Sequence, residues 1–147
     1  MIVDEIQCGI GRSGRVFAFE YADIVPDVIL ISKAIGGSQP LSVVVYNQKL
    51  DKWLPGAHAG TFRGNQMAMC AGTVVMNRIS QPEFLADVVK KGEIIRNRLM
   101  DLKKKVSIIG DIRGKGLMIG CEFVNPNLPC DSLGSYPPAG DIAAEVQ

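Results

Sequence analysis

Val28-Ile29-Leu30-Ile31-Ser32-Lys33-Ala34-Ile35-Gly36-Gly37 carries a run of apolar residues into a single amine and then into a glycine pair. Consecutive apolar side chains bounded by turn residues read as a strand covered on both faces, with Lys33 delivered at its end. Toward the N-terminus, Ile2-Val3-Asp4-Glu5-Ile6-Gln7 reads as a second strand that ends in a carboxylate and an amide. Toward the C-terminus, residues 42–47 form a third, and residues 15–23 fit a short helix between the first two. Apolar strands separated by helical connections predict an α/β unit with a parallel sheet.

From Asn65 the apolar period changes. Met67, Ala68, Ala71, Val74, Val75 and Ile79 recur at helical spacing after a Gly64-Asn65 cap and stop before Pro82. A second helix is predicted from Pro82, because Phe84, Leu85, Val88, Val89, Ile94, Ile95, Leu99 and Leu102 make one stripe between charged faces. Gly92 interrupts it, and Lys103-Lys104-Lys105 suits its C-terminal end as a solvated, dipole-compensating run. Residues 108–112 and 117–124 then read as two strands around the turn Arg113-Gly114-Lys115-Gly116. Residues 125–140 are loop-like, and Asp141 is placed to cap a further helix. The change of pattern sets a division into residues 1–81 and 82–147.

The chain has 147 residues, 47% of them hydrophobic, which is enough for a core of ordinary size. Sixteen basic and fifteen acidic residues give a net charge of +1, so nothing marks a nucleic-acid or anionic-membrane surface and a small-molecule partner is expected. Cys8, Cys70, Cys121 and Cys130 form no Cys-x-x-Cys pair, and His58 is the single histidine, so no metal site is expected. With no apolar run near the ~20 residues of a membrane helix and no signal peptide, a soluble cytoplasmic protein is expected. Met1-Ile2-Val3 opens inside a strand and residues 141–147 leave a helix no room to finish, so the sequence reads as a fragment whose sheet lacks neighbours. Such a piece is expected to be poorly folded and inactive alone.

An aldehyde cofactor with a phosphate handle requires an amine to condense with, an anion facing its ring nitrogen and donors for its phosphate. Lys33 can supply the amine. Asp4 can keep the ring nitrogen protonated, and Gln7 can donate to the ring hydroxyl, although strict strand alternation puts Asp4 and Gln7 on opposite faces. The turn after Ile6 must therefore redirect Gln7. Each residue also has an ordinary reading, Asp4 as a turn residue and Lys33 as a solvated amine, and it is their combination that points to pyridoxal chemistry. Thr61, in the loop before the first long helix, fits equally as a phosphate ligand or as a cap. His58 has no assigned role. Arg113 can hold a carboxylate with two parallel hydrogen bonds, while its spacing alone reads as a surface turn. Gly9, Gly11 and Gly14 match Gly-x-Gly-x-x-Gly, which leaves a nucleotide-binding module as an alternative, despite the acidic residues in the preceding strand.

With these residues in place, the chain resembles the class III, or ornithine/4-aminobutyrate type, pyridoxal-phosphate aminotransferases of fold type I. Asp4-Glu5-Ile6-Gln7-x-Gly9-x-Gly11-Arg12-x-Gly14 is similar to the family's cofactor-ring motif, and Ser32-Lys33-Ala34-Ile35-Gly36-Gly37 to its lysine motif. The resemblance implies the C-terminal part of a large cofactor domain (1–81), then a linking helix and the start of a small α+β domain (82–147). It implies Asp4 on the pyridine nitrogen, Gln7 on the ring oxygen, Lys33 covalently on pyridoxal 5'-phosphate and as proton shuttle, Thr61 on phosphate in the neighbouring subunit's site, and Arg113 on a substrate carboxylate. It further implies a homodimer or higher homo-oligomer of the full-length protein. His58-Ala59-Gly60-Thr61-Phe62-Arg63 followed by Gly64-Asn65-Gln66, where many members have Gly-Asn-Pro, is most similar to the diaminobutyrate 2-oxoglutarate branch. That branch converts L-2,4-diaminobutyrate and 2-oxoglutarate to aspartate 4-semialdehyde and glutamate. Ornithine or 4-aminobutyrate as donor, and racemisation or decarboxylation on the same cofactor, stay open from these residues.

Overall fold

The structure is a computed structural model that describes residues 1–146. It divides into two compact units, Met1–Val88 and a second that begins at Val89, so the division falls inside a helix.

In the first unit, β1 (Ile2–Asp4), β2 (Val28–Ile31) and β3 (Val43–Tyr46) form a sheet in the order β1-β2-β3. β1 runs parallel to β2, with Asp4 opposite Leu30. The expected all-parallel sheet is not what forms: β3 is antiparallel to β2, with Ile31 opposite Val43. The connection between them, which holds a 3-10 turn and no α-helix to cross the sheet, is the reason. A parallel return needs a crossover of about a dozen residues or more. Here a tight 3-10 turn, Lys33–Gly36, folds the chain straight back after Ser32, and Gly37 takes φ 61°. Residues 15–23 also fall short of an α-helix, forming a 3-10 turn at Ala18–Ala22 ahead of which Phe17 stacks on Phe19 at 5.6 Å.

Helix α1 (Gln66–Ile79) starts at Asn65, whose side chain accepts the amides of Met67 and Ala68. Its buried positions are Ala68, Gly72 and Ile79. Met67 and Val74, read from the sequence as part of the apolar stripe, are 72% and 68% exposed, because the stripe that packs is 68-72-75-79. Gly72 lets α1 approach the Lys33 turn, since a Cβ there would stand 2.8 Å from Leu41 and 3.3 Å from the Ile35 carbonyl. Ile10, Ile31, Ile35 and Ile79 form the core of this unit, with Leu41, Val43, Val75 and Phe84 packed around it. The core therefore lies directly beneath the Lys33 turn.

Helix α2 (Pro82–Lys103) opens on proline, whose missing N–H is no loss in a first turn. In the second unit, β4 (Ile109–Lys115) and β5 (Met118–Phe123) form an antiparallel hairpin. Its reversal is at Gly116-Leu117, since Lys115 pairs with Met118, and the expected turn at residues 113–116 moves two positions toward the C-terminus. Arg113 is consequently a strand residue opposite Gly120. Gly92 is a requirement of packing, since a Cβ on it would lie 2.1 Å from the Gly116 carbonyl oxygen. Lys103, read as part of a solvated run, donates to the Gly110 carbonyl at 2.7 Å. Val124 pairs with Pro138, and α3 (Gly140–Val146) begins one residue before the expected cap. Among the described residues, no helix is long and apolar enough to cross a membrane.

Candidate active site

Lys33 stands where β2 gives way to the 3-10 turn, with φ 50°. A left-handed backbone at a residue with a Cβ costs on the order of 1 to 3 kcal/mol and persists only where the surroundings enforce it. Here Ile35 on one side of the amine is buried in the core, and Ser32 on the other is tied down. The Ser32 hydroxyl donates to the Leu41 carbonyl at 3.1 Å and pairs with the Ser42 hydroxyl at 2.9 Å. The lysine side chain is thereby turned out of the core, and its Nζ donates to Gln7 Oε1 at 2.9 Å.

Gln7 reaches that amine because β1 does not continue as a strand. After Asp4 the Glu5 amide still donates to the Leu30 carbonyl at 2.9 Å, extending the parallel pairing by one residue. The chain then turns: Ile6 N–H donates to Asp4 Oδ1 at 2.9 Å, and Gly9 N–H to the Glu5 carbonyl at 3.1 Å. This is the redirection that strand alternation demanded. Asp4 and Gln7 are both exposed, Glu5 between them is buried, and Asp4 Oδ2 has no hydrogen-bond partner among the described residues. Asp4, Gln7 and Lys33 thus belong to the C-terminal ends of two adjacent parallel strands, the edge where α/β sheets bind ligands.

Thr61 lies in the long loop before α1 and is exposed. It lines an open pocket of about 400 Å³ together with Leu41, Ser42, Arg63 and Asn65. Ser42, paired with Ser32, links that pocket to the residue beside Lys33. The His58 carbonyl accepts the Arg63 guanidinium, which braces the loop. Arg113 belongs to the second unit and is described there by itself. Its Nη1 donates to Asp111 Oδ2 at 2.8 Å and Glu122 Oε2 at 3.2 Å. That hydrogen bond from Arg113 holds the Asp111 carboxyl below the usual carboxylate range, and the two acids push the guanidinium higher still.

Glu5 and Ser32 carry no assignment in the sequence reading. Glu5 leaves a visible signal, a carboxylate inside an apolar strand; Ser32 leaves none. The glycine run 9–14 does not open an α-helix, as a dinucleotide loop requires. Instead, Gly9 makes room for Glu5 and Gly11 for Ile79 and Phe84. All four cysteines are free, and no group of metal-ligating side chains occurs among the described residues.

The model of the class III aminotransferases matches residues 1–131. The chain belongs to the class III aminotransferases. It is 46% identical over its whole length to the diaminobutyrate–2-oxoglutarate aminotransferase of Rhizobium meliloti, of which it covers 31%. Over 121 residues, or 82% of the chain, it is 44% identical to the acetylornithine aminotransferase of Caldanaerobacter subterraneus, covering 31% of that protein. The crystal structure of ornithine aminotransferase from Toxoplasma gondii superposes with a TM-score of 0.77 and 33% identity over 83% of this chain and 30% of that one. Class III aminotransferases are fold type I proteins, and the chain is part of such a fold, spanning about a third of the length of the relatives it matches.

Proposed function

We propose that residues 1–147 act within a longer transaminase chain, residues 1–81 as the C-terminal part of the cofactor domain and 82–147 as the linking helix and the start of the small domain. The observation that carries this reading is the 2.9 Å contact of Lys33 Nζ with Gln7, on the strand edge that also holds Asp4. An amine, an amide and a carboxylate with a free oxygen suit the aldehyde, the ring oxygen and the ring nitrogen of pyridoxal 5'-phosphate. When bound, that cofactor supplies the electron sink that lets a substrate carbon lose a proton. Lys33 would hold the aldehyde covalently and, once released by substrate, move the proton at the reacting carbon, a role contributing about 10² to 10⁴ in rate. Asp4 would accept the ring N–H, Gln7 would donate to the ring oxygen, and the Thr61 hydroxyl would donate to phosphate. Arg113 would receive a substrate carboxylate.

The substrates proposed are L-2,4-diaminobutyrate and 2-oxoglutarate, exchanging the terminal amino group to give aspartate 4-semialdehyde and glutamate. The 46% identity to the Rhizobium meliloti enzyme, over all of this chain and 31% of that protein, supports this pair; the acetylornithine and ornithine relatives keep those donors as the alternative. The complete enzyme is proposed to be a cytoplasmic homodimer. The test is amino transfer by the purified complete enzyme from diaminobutyrate, acetylornithine, ornithine and 4-aminobutyrate in turn. The expected result is strict dependence on 2-oxoglutarate with the highest kcat/KM for diaminobutyrate. Turnover without an amino acceptor would contradict transamination itself.

A further inference from the structure

Glu5 follows the proposed ring carboxylate by one residue and points the other way, into the interior. It is 2% exposed and is the only charged side chain that is buried among the described residues. Its Oε1 accepts the Phe19 amide at 2.8 Å; its Oε2 accepts the Ala18 amide at 2.9 Å and lies 3.5 Å from the Cys8 thiol. These amides open the 3-10 turn Ala18–Ala22 and would otherwise lack acceptors. The Glu5 main chain is fixed at both ends as well, its N–H on Leu30 and its carbonyl on the Gly9 amide. A Cβ at Gly9 would come within 2.7 to 2.9 Å of Glu5 atoms, so the turn closes tightly over this side chain.

We infer that Glu5 is a positioning residue for the cofactor site: by clamping the amides of Ala18 and Phe19, its carboxylate sets the turn that brings Asp4 and Gln7 to the Lys33 side. This rests on the proposed function. Neither Asp4 nor Gln7 is anchored to the body of the unit by its own side chain. Asp4 bonds only within its own turn and Gln7 only to the Lys33 amine, so the attitude of both is inherited from the backbone that Glu5 anchors between them.

The test uses the complete enzyme with pyridoxal 5'-phosphate bound and two variants. Glu5→Gln keeps size but turns an amide NH₂ against one of the two N–H donors. Ala18→Pro removes one donor and sets the ring Cδ against Oε2, which opens that half of the clamp with Glu5 itself unchanged; Phe17 is extended and Ala18 is first in its turn, so the backbone accepts proline there. Both variants are expected to shift the pH titration of the bound cofactor's visible band, weaken cofactor retention and lower kcat, about 10²-fold for a misplacement near 1 Å, with KM little changed. Glu5→Asp should recover part of the loss. A lower melting temperature with the band's titration, cofactor retention and kcat all unchanged would show a purely structural role and overturn the proposal. If Glu5→Gln does not fold, Ala18→Pro decides by the same readouts. A wild-type enzyme that shows no visible band at all would instead defeat the proposed function.

Discussion

The chemistry concentrates in side chains whose direction the backbone dictates. Lys33 is pushed out of the core by a left-handed backbone, and Gln7 is swung round by the turn after Asp4. Replacing Lys33 with alanine in the complete enzyme is expected to remove the cofactor's visible band and lower kcat by about 10² to 10⁴-fold, read by absorbance and steady-state rates. The Cys8 thiol gives a second readout at this scale. Burial raises its pKa most, and the nearby Glu5 carboxylate adds to the rise, so thiolate is scarce at neutral pH. Glu5→Gln should speed Cys8 alkylation by iodoacetamide at pH 7, although burial still keeps it slower than a free thiol. Arg113 gives a third. Because the pKa of Asp111 is depressed in the folded chain, its ion pair is intact above the ordinary carboxylate range and is lost only as pH falls through the lowered value. Arg113→Ala should raise the Asp111 titration, followed by carboxyl NMR, toward the ordinary range with little change in melting temperature, since both groups are exposed.

At the scale of elements, glycines decide what can approach what. Ala at Gly92 gains helix propensity, yet its Cβ would sit 2.1 Å from a hairpin carbonyl, so the backbone must move. Gly92→Ala is expected to destabilise the complete enzyme by roughly 1 to 3 kcal/mol, measured by denaturant unfolding. The sequence revealed both long helices, the β2 strand that carries Lys33 and the hairpin, because caps, prolines and apolar period act locally at each. It did not reveal the sense of β3. The same glycine-rich turn that marked the site reverses the chain with no α-helix to cross the sheet, and strand residues alone do not encode direction. The place of the hairpin reversal was missed for a related reason: Gly114 and Gly116 both permit a turn, and the choice is made by the register against β5. Within the candidate site, Asp4, Gln7 and Lys33 were legible through their types at strand ends. Glu5 and Ser32 act through long-range hydrogen bonds that no local pattern records.

For the whole molecule, what stays uncovered is as informative as the core. In the first unit, Val25, Leu54, Trp53, Phe62 and Met67 are all more than half exposed, and β1 has no neighbour on its outer edge among the described residues. Apolar surface and open strand edges of this kind favour association. The 147-residue chain made alone is therefore expected to bind a hydrophobic dye, to self-associate, and to form no visible band with pyridoxal 5'-phosphate. A monomer that melts cooperatively and binds the cofactor would contradict this. The measurement that bears most directly on the proposed chemistry is borohydride reduction of the complete, cofactor-loaded enzyme followed by peptide mass mapping. The expected result is loss of the visible band with one reduced pyridoxyl group on the peptide containing Lys33; a label on another lysine, or none on an enzyme that still turns over, would contradict it.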